Sequence, residues 1–164
     1  MSFERILDAL GEEEAVVALA RPSIREVSVP ECAQAWAIAA YVRLAKGKTV
    51  FVITPTLLEA SNLYSDLRAI LGIEQVELFP AWETLPFERV SPTLHTMGQR
   101  IKVAWEFQNS KNPKVVISPI RAVTQVVAPN NEIQPIQISL NETIDLQDTL
   151  EKLIQMGYRR VAQI

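Results

Sequence analysis

Residues 48–54 read Lys-Thr-Val-Phe-Val-Ile-Thr, a continuous β-branched and aromatic run that Pro55 closes. Such a run, without polar alternation, is expected of a strand buried on both faces of a parallel sheet. Parallel strands need a crossover of about a dozen residues or more, and the following segment supplies one. Thr56 with Glu59 fits a capping box, Leu57, Ala60, Tyr64, Leu67 and Leu71 recur at helical spacing, and Gly72 is a fitting stop. Val76-Glu77-Leu78-Phe79-Pro80 then reads as another strand. Residues 49–80 are therefore a β-α-β unit, whose crossover is expected to be right-handed, and the chain is expected to be α/β, with a short, mostly parallel sheet flanked by helices.

The flanking segments extend this pattern. Phe3, Ile6, Leu7 and Leu10 predict a short first helix broken by Gly11, and residues 15–20 a second apolar helical stretch. Ile24, Val27 and Val29 suggest a strand, followed by a long helix with Trp36, Ala37, Ala40, Tyr41 and Leu44 on one face. Beyond a proline-punctuated loop, Ser91-Pro92 looks like an N-cap and first helical position. Leu94, Met97, Ile101 and Ala104/Trp105 are the expected buried stripe of that helix. Val115-Val116-Ile117 is a further buried strand, and Ser118-Pro119 starts a helix expected to run through Val123, Val126 and Val127.

The character changes at Pro129-Asn130-Asn131-Glu132, which suggests a lobe over 1–129 and the start of a small α+β domain over 130–164. There Ile136 and Ile138 alternate with Gln137 and Ser139 as in a half-buried strand. Thr143 or Asp145 caps a helix carrying Leu146, Leu150, Leu153 and Ile154, and Tyr158 onward reads as a strand that stops. An apolar strand pattern at the chain end is the expected mark of a fragment.

Charge and composition narrow the function. The 164 residues carry 16 basic and 19 acidic side chains, a net charge of -3, and one cysteine. That balance supplies no general basic field for nucleic acid, whose binding is dominated by phosphate neutralisation. Glu4, Asp8 and Glu12-Glu13-Glu14 are wrong for a secretory or mitochondrial leader, and no apolar run approaches the ~20 residues that span a bilayer. A cytoplasmic protein without membrane association is the expectation, in keeping with a single unpaired cysteine.

Chemical motifs are few. Gly47-Lys48-Thr49 ends like a phosphate-binding P-loop, yet the position five residues before Gly47 is Val42, and a helix precedes and a strand follows, the reverse of what phosphate binding needs. Where such a loop belongs, Val29-Pro30-Glu31-Cys32-Ala33-Gln34 has neither glycine nor lysine, and Glu31 would repel phosphate. The architecture resembles a nucleotide-binding lobe without its binding loop. Cys32 and His95 are the only thiol and imidazole, and nothing in the sequence joins them; a core cysteine and a surface histidine are expected. No metal-ligand spacing occurs. The loop Ala81-Trp82-Glu83-Thr84-Leu85-Pro86-Phe87-Glu88-Arg89-Val90-Ser91-Pro92 is either a packed cover on the sheet end or a functional loop. Arg159-Arg160 is either a solvated pair or a binding rim. These features leave open a free-standing α/β enzyme with the tryptophan loop as its active-site wall, or a small nucleic-acid-binding domain.

Leu78-Phe79-Pro80-Ala81-Trp82-Glu83-Thr84-Leu85-Pro86-Phe87-Glu88, then Ser91-Pro92 and Arg100, resembles the N-terminal region of the bacterial transcription-repair coupling factors, the Mfd family. Val52-Ile53-Thr54-Pro55-Thr56 and Gly157-Tyr158-Arg159-Arg160-Val161 fall in the same order as in that family, so the resemblance runs from about Arg25 to the end. It makes Trp82, Glu83, Thr84, Leu85 and Pro86 the signature loop. The resemblance implies a UvrB-like, degenerate RecA-like lobe that has lost nucleotide binding, interrupted by an inserted domain that recruits UvrA. It also implies a longer parent protein, an ATP- and Mg-dependent, ATP-hydrolysing translocase on duplex DNA that displaces stalled RNA polymerase and recruits UvrA for nucleotide excision repair. The present chain is then a non-catalytic fragment with no catalytic, cofactor or metal residue of its own. It is expected to bind UvrA weakly or not at all, with only Arg159 and Arg160 as rim residues.

Overall fold

A computed structural model describes residues 3–21, 23, 26–45, 47–84, 91–109, 115–126, 135–156 and 158–161. The chain divides into two compact units, Met1–Ala128 and Pro129–Ile164. In the first unit the order is α1 (Glu4–Gly11), α2 (Glu14–Leu19), a 3-10 turn (Glu31–Ala33), α3 (Gln34–Leu44), β1 (Val50–Thr54), α4 (Leu57–Leu71), a second 3-10 turn (Ile73–Gln75), β2 (Val76–Leu78), α5 (Leu94–Asn109), β3 (Val115–Pro119) and α6 (Ile120–Val123). The second contains α7 (Leu146–Gln155).

The three strands form one parallel sheet in the order β1-β3-β2, with Val50 opposite Val115 and Val76 opposite the same residue from the other side. The expected α/β architecture is present, and the tertiary arrangement assigns different roles to its strands. The central strand β3 is buried at every position. Against one face, Val115, Ile117 and Val76 meet Ala60 and Leu67 of α4 and Ala35 and Ala39 of α3 in the main core. Against the other, Val116 packs with Phe79, Val103 of α5 and Ala122 of α6. The small side chains of α3 work on two sides, because Ala37 and Ala40 also receive Val16 of α2. Helix α4 starts as expected: the Thr56 hydroxyl accepts from the Glu59 amide at 3.2 Å and donates to the Glu59 carboxylate at 3.0 Å. It ends at Gly72, whose φ of 100° is open to glycine at little steric cost.

Several expectations need correction. Strand β1 is not buried on both faces; it lies at the sheet edge with Phe51 41% and Ile53 50% exposed. The described part of the proposed strand around Ile24–Val29, residues 26–30, carries no strand; Ile24 itself lies outside the described residues. Helix α5 is capped by Thr93 rather than Ser91: the Thr93 hydroxyl accepts from the Thr96 amide at 3.3 Å and its carbonyl from the Met97 amide at 3.0 Å. Its inward face is Thr96, Arg100 and Val103, while Leu94 is 85% exposed and Ile101 is also exposed. The buried face is thus rotated from the apolar stripe because a buried arginine occupies its middle. Helix α6 stops at Val123, leaving Val126 exposed, and Val127 lies outside the described residues.

In the second unit, Asp145 caps α7 by accepting from the Gln147 and Asp148 amides at 2.9 and 3.2 Å, as one of the two expected caps. Residues 135–139 and 158–161 form no strand, so the strands expected at Ile136–Ile138 and from Tyr158 are absent among the described residues. No described residue of α7 is buried. Its Leu146, Leu150 and Ile154 are exposed, since a face built by helical periodicity is buried only when another element packs on it.

Candidate functional site

The tryptophan loop leaves β2 directly. The Phe79 amide donates to the Ile117 carbonyl at 2.8 Å, continuing the ladder one residue beyond the strand, and the Ser118 hydroxyl donates to the Phe79 carbonyl at 3.1 Å. The next carbonyl, that of Pro80, faces α5. Arg100, only 2% exposed, sits between two rings there, with its guanidinium carbon 4.2 Å from the Phe79 ring centre and 4.4 Å from that of Trp82. Its Nη1 donates to the Pro80 carbonyl at 2.6 Å, while its Nη2 is buried without a hydrogen-bond partner among the described residues. Burial moves the Arg100 pKa down from the usual arginine range. The Trp82 amide donates to Gln125 Oε1 at 2.7 Å, which ties the loop to the turn after α6.

Glu83 anchors the other side. Its Oε1 accepts from the Thr96 hydroxyl at 2.8 Å and the Thr93 hydroxyl at 3.2 Å, and its Oε2 accepts from the Thr93 amide at 3.3 Å. The Thr96 hydroxyl, then the Thr93 amide, hold its carboxyl below the usual glutamate range, and nearby His95 acts in the same direction. A carboxylate at the start of α5 also meets the positive end of the helix dipole. Farther along α5, Lys102 bonds Glu77, an acid buried on β2, at 2.8 Å, and lies 3.8 Å from Glu106. Burial pulls the lysine pKa down, but Glu77 and then Glu106 outweigh it, so the net shift is upward and Lys102 stays charged.

This arrangement holds a loop; Glu83 is fixed as an anion and Lys102 as a cation. Trp82 and Glu83 of the signature loop belong to it directly, Thr84 follows them half-buried, and Leu85 and Pro86 lie outside the described residues. Trp82 is half-buried, and residues 85–90 of the loop lie outside the described residues. Cys32 is exposed on the 3-10 turn, not in the core, because the turn precedes the part of α3 that packs inward. His95 is exposed on the first turn of α5, as expected, and no hydrogen bond joins it to Cys32 among the described residues. At the position expected for a phosphate loop the chain makes the Glu31–Ala33 turn, and Gly47-Lys48-Thr49 is a connection from α3 into β1, with Gly47 at φ 84°. Among the described residues no three His, Cys, Asp or Glu side chains come together as metal ligands. Arg159 and Arg160 are exposed in the second unit, outside any helix or strand. No described helix is long and apolar enough to cross a membrane.

By sequence Arg100 stands out only through the resemblance, and its burial and the roles of Thr93, Thr96 and Gln125 emerge only in the fold. The one available signal was the spacing of Thr96, Arg100 and Val103, which share a helix face at i, i+4 and i+7.

Comparison with known proteins adds the decisive observation. Over 128 residues, 74% of this chain, the transcription-repair-coupling factor of Mycobacterium tuberculosis is 28% identical. By sequence, the chain is similar to the transcription-repair-coupling factors. The coupling factor of Haemophilus influenzae is 30% identical over 115 residues, 69% of the chain, and that of Staphylococcus haemolyticus 23% identical over 160 residues, 96% of the chain. The chain spans only 10% of the first two coupling factors and 13% of the third. No family model matches it.

Proposed function

We propose that the chain is a non-catalytic module from the N-terminal, UvrB-like region of a transcription-repair coupling factor. The similarity to the coupling factors over most of the chain carries this reading. Its first unit, Met1–Ala128, is then a degenerate RecA-like lobe, and a parallel sheet with a glycine-free turn at Glu31–Ala33 is in keeping with a lobe that binds no nucleotide. The second unit, Pro129–Ile164, is then part of the inserted UvrA-binding-type domain, with Arg159 and Arg160 on its rim. ATP with Mg, duplex DNA, RNA polymerase and UvrA are cofactors and partners of the whole coupling factor, and this chain alone binds UvrA weakly or not at all.

The test is strand-specific repair after ultraviolet irradiation, in cells of the source organism from which the coding segment for this chain has been deleted. Preferential repair of transcribed strands should disappear. Equal repair kinetics with and without the segment would overturn the reading. On the purified chain, calorimetric titration with Mg-ATP should show no binding; micromolar binding that Lys48→Ala abolished would restore Gly47-Lys48-Thr49 as a phosphate site.

A further inference from the structure

The two edges of the sheet are built differently. Strand β2 is three residues long and carries Glu77, buried and bonded to Lys102 of α5. Short length and an inward charge both blunt an edge against further pairing. Strand β1 has neither. Val50-Phe51-Val52-Ile53-Thr54 contains no charge and no proline, and the outer row of its backbone N–H and C=O groups meets no strand among the described residues. Phe51 and Ile53 lie on the same face as their β3 neighbours Val116 and Ser118, and both are exposed there. Exposed Phe107 of α5 meets the Phe51 ring edge-on, with ring centres 6.2 Å apart. An unpaired edge and an uncovered apolar strip therefore coincide on the same strand.

That strand is also complementary to itself, and we infer that β1 pairs with β1 of a second copy of this chain, antiparallel about a two-fold axis through Val52. In this register Phe51 lies opposite the partner's Ile53, and Ile53 opposite the partner's Phe51. Aromatic against β-branched is a stabilising cross-strand combination, and here it occurs twice on the exposed face. Val50 lies opposite the partner's Thr54. Lys48, the nearest charge in sequence, comes opposite the partner's Thr56, so no like charges meet across the ladder. The interface uses the same surface on both copies and is closed. Only the blunted β2 edges remain at the outside of the joined sheet, so assembly stops at two copies.

Sedimentation equilibrium of the full chain tests this and should show monomer and dimer with no larger species. Ile53→Lys, at an exposed position, sets a charge opposite the partner's Phe51 at both ends of the ladder. It should raise the dimer dissociation constant at least tenfold, while the chain diluted to monomer melts as before. Disulfide trapping in a Cys32→Ser background reads the register and does not depend on that variant. Directly opposite residues of an antiparallel pair have Cα atoms about 4.5–5.5 Å apart, within disulfide range. A mixture of Phe51→Cys and Ile53→Cys chains should therefore form the mixed covalent dimer, and either chain alone should be trapped at least tenfold less. A chain that stays monomeric would leave this edge to a strand of another polypeptide and overturn the inference. So would open-ended assembly, an undiminished dimer in a natively stable Ile53→Lys chain, or equal trapping of single and mixed chains.

Discussion

Replacing Arg100 separates the contributions that hold the tryptophan loop. The hydrogen bond from its charged Nη1 to the Pro80 carbonyl is of a kind that contributes about 1.5–3 kcal/mol, and each cation–π contact, to Phe79 and to Trp82, adds about 0.5–2 kcal/mol. Against these stands the desolvation of a guanidinium whose Nη2 has no partner among the described residues. Arg100→Ala removes every contact, leaves the Pro80 carbonyl unpaired and opens a cavity, so it should destabilise the first unit by about 3–5 kcal/mol. Arg100→Met keeps the packed stem and relieves the buried charge, which limits the loss to about 1–3 kcal/mol. Trp82→Ala should fall near 2–3 kcal/mol, below the range for a fully buried aromatic, because the ring is half-buried. The Arg100→Ala/Trp82→Ala double mutant should show a coupling of about 1 kcal/mol. Urea unfolding followed by circular dichroism and tryptophan fluorescence measures all four, since Trp36, Trp82 and Trp105 lie in the first unit. An Arg100→Met chain as stable as the parent, or zero coupling, would show that the guanidinium does not hold the loop.

Glu83→Gln should lower stability at neutral pH and flatten its acid dependence. The folded-state pKa of Glu83 lies below its unfolded value, so its contribution is complete above the ordinary carboxylate range and fades as pH falls through the lowered folded value; melting temperatures from neutral pH to about pH 3 read this difference. Ile53→Thr, on the exposed face of β1, should change stability by no more than about 0.5 kcal/mol while reducing self-association in light scattering. Asp145→Ala should cost α7 about 1 kcal/mol, visible as lost helical circular dichroism, because no described α7 side chain is buried to compensate.

The repeating elements were legible because they depend on neighbours in sequence. A β-branched run between Gly47 and Pro55, a capping pair at Thr56 and Glu59, and an acid at Asp145 before a helical pattern define β1, α4 and α7 from a few residues each. The candidate site was legible only in part: Trp82 stood out as a large aromatic among prolines, but Arg100 reads like any helical surface arginine until Phe79 and Trp82 close around it. Likewise the hydroxyl of either Ser91 or Thr93 suits an N-cap, and Thr93 is the one that Glu83 holds at the start of α5.

Local propensity and hydrophobic period were therefore enough to specify an α/β chain with parallel strands and capped helices. They act over a few residues and carry no information about which strand becomes central. The order β1-β3-β2 came from pairing between segments more than thirty residues apart. That pairing exposes Phe51 and Ile53 on an edge and buries all of β3, and in the assembled unit Thr96 and Arg100 of α5 lie inward beside Val103. The reason is physical: burial depends on what packs against a face, so a buried arginine clasped by two aromatic rings exists only once the tertiary structure has assembled it.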